Sequence, residues 1–293
     1  MPSLKEVRGR IVSVNSTQQI TKAMKMVSAA KLRRAQDSII RFRPYAEKLN
    51  AILTNLSASL DQSADNPYGV EREVKKLLIV VVTSDRGLAG PFNSNIAKAV
   101  YSLINAEYKG LSEKNIQLLC IGKKGYEYFS KRGHNVIGDY STLFHSLSFS
   151  AARPAAELAM NGFLNGDYDR VELVYNEFKN VATQIIRKER LLPIEKKAAE
   201  KTVKTANVDY IFEPSKEEIL RELIPKSLKT QFYKALLESS ASEHGARMSA
   251  MDKATENAKE LLKDLKLTYN RSRQAAITKE ILEIVGGAEA LAK

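Results

Sequence analysis

The first segment of the chain decides the fold; residues 4–60 read LKEVRGRIVSVNSTQQITKAMKMVSAAKLRRAQDSIIRFRPYAEKLNAILTNLSASL. One set of positions in it is spaced alternately by three and four residues: Leu4, Val7, Ile11, Val14, Gln18, Thr21, Lys25, Ser28, Leu32, Ala35, Ile39, Phe42, Ala46, Leu49, Leu53, Leu56 and Leu60. This 3.5-residue repeat predicts a long helix that supercoils with a partner helix. Ser3 and Glu6 form a capping box at its start, and Pro44 predicts a bend without an end because the repeat continues in phase.

Four successive positions of this helix seam are not apolar, namely Gln18, Thr21, Lys25 and Ser28. Either the partner helix supplies small or polar residues there, or this stretch faces something other than its partner.

The last segment of the chain predicts the partner helix. Ser215 and Glu218 form a second capping box, Pro225 is expected to break the chain soon afterwards, and residues 227–285 predict a helix of roughly 85–90 Å. Its middle is rich in small residues that let two helix axes approach closely: Ser239, Ser240, Ala241, Ser242, Gly245, Ala246, Ser249, Ala250, Ala254 and Ala258. Its far end is apolar, ahead of Gly286-Gly287, and comprises Ile277, Ile281, Leu282, Ile284 and Val285. Such an end is unusual for a free rod in water, so we expect it to sit inside another structure.

The middle of the chain predicts an α/β domain that lets the two end helices pair as an antiparallel coiled coil. Strands and helices alternate in residues 74–195: strands at 74–83, 117–121 and 135–137, helices at 93–108, 123–131 and 151–161, and a hairpin of 171–178 with 184–193. This order favours an open, mainly parallel, Rossmann-like sheet with an antiparallel edge. The predicted division is an N-terminal helix at 1–60, an α/β domain with polar linkers (61–69 and 195–207) at 61–207, and a C-terminal helix at 208–293.

Composition excludes several classes of protein. Aromatic residues make up 7% of the 293 residues, and Trp is absent, which suits long helices better than a β-sandwich. One cysteine and three histidines exclude a disulfide framework and argue against a zinc site. No apolar run reaches the roughly 18 residues of a membrane span, and the N-terminus resembles neither a secretory signal nor a transit peptide. A soluble protein of a reducing compartment is the simplest expectation.

The positive charge is concentrated at one end of the chain. The net charge is +12, and residues 1–60 hold 11 Lys and Arg against 3 Asp and Glu. This pattern is typical of a solvated helix face, of a nucleic-acid-binding segment, or of a basic rod received by an acidic protein surface.

Catalytic motifs are missing from the sequence. The turn at 84–90 follows a strand and precedes a helix but lacks the G-x-G-x-x-G spacing, and residues 121–125 do not make a P-loop. Cys120 is expected to be an inert core thiol, His134 and His145 to be surface histidines without carboxylate partners, and His244 to be solvated or at an interface. We therefore predict a chain with no catalytic residues, no cofactor and no bound metal.

Several longer motifs resemble the γ subunit of rotary F-type ATP synthases. They are ITKAMKMVSAAKLR at 20–33, TSDRGL at 83–88, SEHGARMSAM at 242–251, ATENA at 254–258, YNRSRQAAITKEI at 269–281 and EIVGGA at 283–288. The resemblance covers the whole chain. It departs from the family in three places. Residues 89–92, AGPF, replace a Cys/Gly-rich continuation, and Cys120 is alone where the chloroplast form has a regulatory cysteine pair. Lys25 stands where some relatives carry an acidic residue.

The resemblance implies a non-catalytic rotor shaft. In this family the coiled coil threads a ring of three α and three β subunits, its apolar tip turns in a hydrophobic bearing, and the globular body sits on the c-ring with the ε subunit. ATP is made at the α/β interfaces. By match to the family's motifs, the residues expected to couple the shaft to the β subunits are Met24, Lys25, Arg247, Arg273, Gln274 and Thr278. The missing transit peptide and missing dithiol favour a peripheral protein on the cytoplasmic face of a bacterial inner membrane.

Two rival functions come from other classes. A basic coiled coil that binds nucleic acid would explain the charge of residues 1–60, but the balanced charge of the C-terminal helix and the absence of aromatic residues interleaved with the basic ones argue against it. An α/β enzyme that uses the turn at 84–90 would need a bound cofactor.

Overall fold

A computed structural model describes residues 3–58, 66–194, 213 and 215–291. Its elements in chain order are α1 (Leu4–Ala58), β1 (Leu77–Val82), α2 (Phe92–Glu107), β2 (Ile116–Ile121), α3 (Lys123–Ser130), β3 (Asn135–Val136), α4 (Phe149–Leu164), β4 (Arg170–Phe178), β5 (Gln184–Leu192) and α5 (Lys216–Leu291). Short 3-10 turns lie at Pro67–Gly69, Glu113–Asn115 and Leu143–Ser146. The predicted combination of long terminal helices and a central α/β sheet is confirmed. The predicted linkers at 61–69 and 195–207 fall largely outside the described residues.

The five strands form one sheet in the order β3-β2-β1-β4-β5. β1 to β4 run parallel, and β5 is antiparallel to β4, as the hairpin motif predicts. β1 lies at the centre, and all six of its residues are buried, since helices cover both faces of the sheet. This is why β1 is an unbroken apolar run, LLIVVV, without alternating polar residues.

Each face of the sheet has its own apolar core. On one face the strands pack against α2 and α3, with Ile96, Val100 and Phe129 among the buried residues. On the other face they pack against α4 and the first part of α5, where Phe163 and Phe232 are fully buried. The first half of α5 therefore belongs to the core of the α/β body.

Contacts within the chain divide it into two compact units. The first unit combines the chain up to Ala29 with the chain from Arg247 onward. The second unit runs from Ala30 to Ala246 and contains the sheet. The helices α1 and α5 contribute residues to both units.

The heptad pattern of α1 is confirmed by side-chain exposure. Every predicted seam residue from Leu4 to Leu53 is buried or half-buried, whereas most residues between them are exposed. The side chains of the last two predicted seam positions, 56 and 60, lie outside the described residues. On α5, buried and half-buried residues from Met251 onward include a set with the same alternation of four and three: Met251, Thr255, Ala258, Leu262, Leu265, Tyr269 and Ser272.

The expected helix start signals are present in the structure. The Ser3 hydroxyl oxygen accepts a hydrogen bond from the Glu6 N–H at 3.2 Å, and the Ser215 hydroxyl oxygen accepts one from the Glu218 N–H at 3.2 Å. Each serine thereby satisfies one of the backbone donors that the first turn of a helix leaves free.

Two predictions about where α5 breaks were wrong. Pro225 lies inside α5, which starts before it and continues through it. The lost hydrogen bond and ring clash cost about 3 kcal/mol, but Leu220 and Leu228 are buried on either side and Ile224 packs on the core, which offsets that cost. The helix also continues through Gly286-Gly287 to Leu291, although nothing packs against either glycine there.

Candidate functional site

The turn after β1 is closed by its own side chains. The Ser84 N–H donates to Asn93 Oδ1 at 3.0 Å, and the Asn93 amide donates to Ser84 Oγ at 2.8 Å. The Ser84 hydroxyl in turn donates to the Arg86 carbonyl oxygen at 2.7 Å. Because these polar groups bind one another, the geometry supports a structural turn and not a phosphate cradle.

The expectation that His145 lacks a carboxylate partner was wrong. Asp85 Oδ2 lies 3.2 Å from His145 Nδ1, and Asp85 Oδ1 accepts a hydrogen bond of 3.4 Å from the Lys123 N–H. The two residues are 60 positions apart, and the fold brings them together because Asp85 follows β1 and His145 lies in the turn after β3, at the same edge of the parallel sheet. The His145 ring is largely exposed, and no nucleophile completes a catalytic set beside this pair in the described residues.

His134 is half-buried and packs in an aromatic cluster instead of facing solvent as expected. Its Nε2 lies 2.9 Å from the Tyr101 hydroxyl, and its ring centre lies 5.6 Å from that of Phe129.

Cys120 is fully buried, and burial raises the pKa of its thiol to about 12, so the prediction of an inert thiol is confirmed. Within the described ranges no group of three or more His, Cys, Asp and Glu residues could hold a metal ion.

A buried charged cluster lies between α2 and β4. The Tyr108 hydroxyl donates to Glu172 Oε1 at 2.7 Å and accepts from Arg170 Nη1 at 3.2 Å. Burial raises the pKa of Glu172, while the hydrogen bond from Tyr108 acts in the opposite direction. Glu172 and Tyr108 are both almost inaccessible to solvent, so this cluster ties α2 to the sheet and offers no opening to a substrate.

The place where this type of sheet would bind a nucleotide is filled by α5. In open parallel sheets, ligands bind beyond the carboxyl ends of the strands at the point where the strand order reverses, which here is between β1 and β4. Ala246 of α5 packs there with Ala89 and Phe92, which follow β1. A Cβ atom on Gly245 would lie 3.2 Å from Cε2 of Phe178, the last residue of β4.

Glu238 fastens α5 to the same edge of the sheet. Its carboxylate accepts a hydrogen bond from the Phe178 N–H at 3.2 Å. Burial raises the pKa of Glu238, and that hydrogen bond opposes the shift. Ser239, Ser242 and Gly245 continue the buried face at steps of three residues. The small residues of this stretch were predicted to let two helix axes approach closely, but Gly245 and Ala246 bring α5 close to the sheet instead.

The six predicted coupling residues lie on both helices of the first unit. Met24 is half-buried, and Lys25 Nζ lies 2.5 Å from Asp252 Oδ1 of α5, a partner that the sequence did not reveal. Arg247 is only 9% exposed. Arg273, Gln274 and Thr278 are exposed, and the Thr278 hydroxyl donates to the Gln274 carbonyl oxygen at 3.0 Å.

The predicted apolar tip is exposed. The five residues range from 49% exposed for Ile277 to 67% for Ile284, the others being Ile281, Leu282 and Val285. They fall within nine residues of one helix, so together they form an apolar patch of the kind that marks a contact with another molecule. In the described part of the chain, no helix is apolar and long enough to span a membrane.

Comparisons with known proteins agree along the whole chain. Residues 3–291 match the family model described as ATP synthase. The ATP synthase gamma chain of Cytophaga hutchinsonii is 70% identical over 293 residues, and that of Flavobacterium johnsoniae is 56% identical over 291 residues, with 99% of each chain covered in both comparisons.

Solved structures show the same fold. A chain of the central stalk and c-ring of the Tetrahymena thermophila mitochondrial ATP synthase aligns with 80% of this chain and 99% of its own length, at 26% identity and a TM-score of 0.58. A chain from the Euglena gracilis mitochondrial ATP synthase aligns with 98% of this chain and 94% of its own, at 21% identity and a TM-score of 0.66.

Proposed function

The chain belongs to the family of ATP synthase gamma chains, the non-catalytic subunits of the central stalk, and we propose that it turns inside a ring of three α and three β subunits. The c-ring of the membrane sector drives it, and ATP is made or hydrolysed at the β subunits as it turns. The nucleic-acid alternative is not favoured, because relatives that match over the full length are gamma chains.

The observation that carries this proposal is the exposed apolar tip of α5. Five large aliphatic side chains at the end of a water-exposed helix are unfavourable unless another surface covers them. A hydrophobic bearing formed by the α and β subunits is such a surface. A bearing of this kind also permits rotation, since apolar contacts are not directional.

The basic charge of α1 fits the same surroundings. Of the net +12, a net +8 lies in residues 1–60, and the exposed positions of α1 include Arg8, Arg33, Arg41 and Lys48. A basic helix that turns past acidic loops of the β subunits would gain from long-range attraction without fixed ion pairs.

We assign the coupling of the shaft to the β subunits to the six residues, three by direct contact and three by holding the two helices of the shaft together. Arg273, Gln274 and Thr278 are exposed on α5 and available to loops of the β subunits. Met24, Lys25 and Arg247 are partly or largely buried. We therefore assign them to holding the two helices in the arrangement that contacts the α and β subunits.

The α/β body is assigned to the base of the stalk, where it would contact the c-ring and the ε subunit. We place the assembly at the cytoplasmic face of a bacterial inner membrane, since the relatives named above include gamma chains of the bacteria Cytophaga and Flavobacterium.

Purification from native membranes tests the proposal. Membranes would be solubilised gently, the chain captured by a tag, and the co-purifying subunits identified by mass spectrometry. We expect α, β, ε and c subunits in constant proportion. Recovery of the chain without α and β would contradict the proposal, and a salt-dependent gel shift with DNA or RNA at physiological ionic strength would favour the nucleic-acid alternative.

A further inference from the structure

A polar layer interrupts the helix seam of the first unit. Thr255 Oγ1 of α5 lies 2.8 Å from Thr21 Oγ1 of α1. Each hydroxyl also lies close to a carbonyl oxygen of its own helix, Thr255 to that of Met251 at 2.7 Å and Thr21 to that of Gln18 at 3.0 Å. Thr21 is only 8% exposed, so the contact between the two hydroxyls is buried in the seam. The layer thus answers why the seam is polar at this level: the partner helix supplies a matching polar side chain.

The second contact of the polar layer is an ion pair between the two helices. Lys25 Nζ and Asp252 Oδ1 are 2.5 Å apart, with side chains 41% and 56% exposed. Moving forward by four residues on α1, from Thr21 to Lys25, corresponds to moving back by three on α5, from Thr255 to Asp252. The two contacts therefore define one antiparallel register. At this exposure an ion pair adds little stability, and its effect is on which residues face each other.

The aliphatic part of the seam does not define the register by itself. Heptad spacing means that a slip of seven residues, about 10 Å along the axis, again sets seam positions opposite seam positions. In one direction such a slip would place Thr21 opposite Leu262 and Lys25 opposite Lys259. The polar layer distinguishes the two arrangements, because the slip replaces the contact between Thr21 and Thr255 with an aliphatic neighbour and brings two like charges together.

We propose that Thr21, Lys25, Asp252 and Thr255 set the axial register of the coiled coil, acting as positioning residues for the shaft. A shaft that carries torque needs one fixed arrangement of its two helices, since a slip would move every surface residue of one helix relative to the other. This consequence rests on the proposed function, whereas the register itself is a property of the chain.

Disulfide trapping in the full chain reports the register. Seven residues before Thr21 on α1 lies Val14, and seven residues after Thr255 on α5 lies Leu262. In an antiparallel pair these two residues face each other, so cysteines at these two positions should cross-link in the native register. Cysteines at Val7 and Leu262, or at Val14 and Tyr269, meet only after a slip of one heptad in either direction. The native Cys120 is buried and protonated, and it will not compete.

The decisive variant removes the layer and keeps the volume of the buried positions. It carries Thr21→Val, Thr255→Val, Lys25→Ala and Asp252→Ala. We expect the slipped cross-links to rise about tenfold over the parent, the preference that a buried hydrogen bond and an ion pair together supply. A variant that cross-links only in the native register would overturn the proposal.

A charge exchange provides the rescue. Lys25→Asp alone sets two carboxylates face to face and should increase the slipped cross-links, and adding Asp252→Lys should restore the parent pattern. Equal patterns in the single and double variants would contradict the proposal even if the four-residue variant folds poorly. Proton pumping per ATP hydrolysed, measured in the reassembled complex with the parent chain, tests the proposed function separately, because it does not depend on the cross-links.

Discussion

At the scale of single residues, the structure adds partners that the sequence could not supply. The heptad repeat identifies Lys25 as an anomalous seam residue, but its partner Asp252 lies 227 positions away, and nothing in one sequence links the two. The same is true of Asp85 and His145, which meet only because parallel strands end at one edge of the sheet. Burial of Cys120 was predictable, since it lies within an apolar strand.

Cys120 should resist alkylation in the folded chain. It is inaccessible, and with a pKa of about 12 its thiol is almost entirely protonated at pH 8. We expect no incorporation of iodoacetamide into the native chain at pH 8 and one label per chain in guanidinium chloride, measured by mass spectrometry. Labelling of the native chain at the rate of the unfolded chain would contradict the burial.

Gly245 should not tolerate a branched side chain. Its Cβ position is 3.2 Å from the Phe178 ring and 3.7 Å from the Val181 Cα atom, so Gly245→Val would push α5 off the sheet. We expect a loss of about 1–3 kcal/mol in the free energy of unfolding, measured with urea. The matched control is Gly286→Val on the same helix, where nothing lies within 4 Å and the change should stay within about 0.5 kcal/mol. Equal effects at both glycines would contradict the close approach.

At the scale of elements, regular patterns were predictable and exceptions were not. The 3.5-residue repeat predicts α1 nearly residue by residue because one seam sets the exposure of the whole helix. The predicted break at Pro225 was wrong because local propensity disfavours proline inside a helix, whereas burial of Leu220 and Leu228 in the α/β body keeps the helix continuous. That burial depends on tertiary contacts, which sequence periodicity does not report.

The contact between α4 and α5 should weaken in acid. Glu157 Oε1 lies 2.6 Å from Lys229 Nζ and 2.7 Å from Arg153 Nε, and these hydrogen bonds lower the pKa of Glu157. A lowered carboxyl pKa contributes stability above its ordinary value, and that contribution is lost as the pH falls through the lowered pKa.

The stability advantage of the parent chain over Glu157→Gln should therefore be about 0.5–1 kcal/mol at neutral pH and should decrease as the pH falls below the ordinary carboxyl pKa and through the lowered pKa of Glu157. Urea unfolding at a series of pH values measures it. Glu73→Gln, which removes a carboxylate from a highly exposed pair with Lys75, serves as the control and should show no such dependence. An advantage that stays constant while the pH is lowered until the chain unfolds would disprove the role of the carboxylate.

At the scale of the whole molecule, the described fold explains why the sheet has no open nucleotide site at its switch point. Its sheet has the topology of a nucleotide-binding fold, but Gly245 and Ala246 of α5 occupy the edge where a ligand would bind. The sequence predicts the absence of a phosphate-binding motif in the turn after β1. The filling of the crevice could not be predicted, because it requires knowing that a helix more than 150 residues later packs there.

Deleting residues 279–293 should separate folding from coupling. Residues 279–288 are exposed, so the α/β body should keep its thermal unfolding temperature, whereas loss of Ile281, Leu282, Ile284 and Val285 removes most of the tip from the proposed bearing. We expect less proton pumping per ATP hydrolysed in the assembled complex.

The control exchanges Lys279 and Glu283, an exposed pair 3.5 Å apart, and leaves every apolar residue of the tip in place. This variant should couple like the parent chain. An insoluble truncated chain would show that the tip belongs to the folding unit, and full coupling without the tip would remove the case for a bearing.

The central claim, that the chain is a rotating shaft, is tested most directly by watching it turn. The α and β subunits would be fixed to a surface, a gold bead attached to the exposed α/β body, and ATP added under a microscope. We predict rotation of the bead in one direction with three equal pauses per turn, because the ring presents three β subunits. A bead that stays still while the same molecules hydrolyse ATP would contradict the claim.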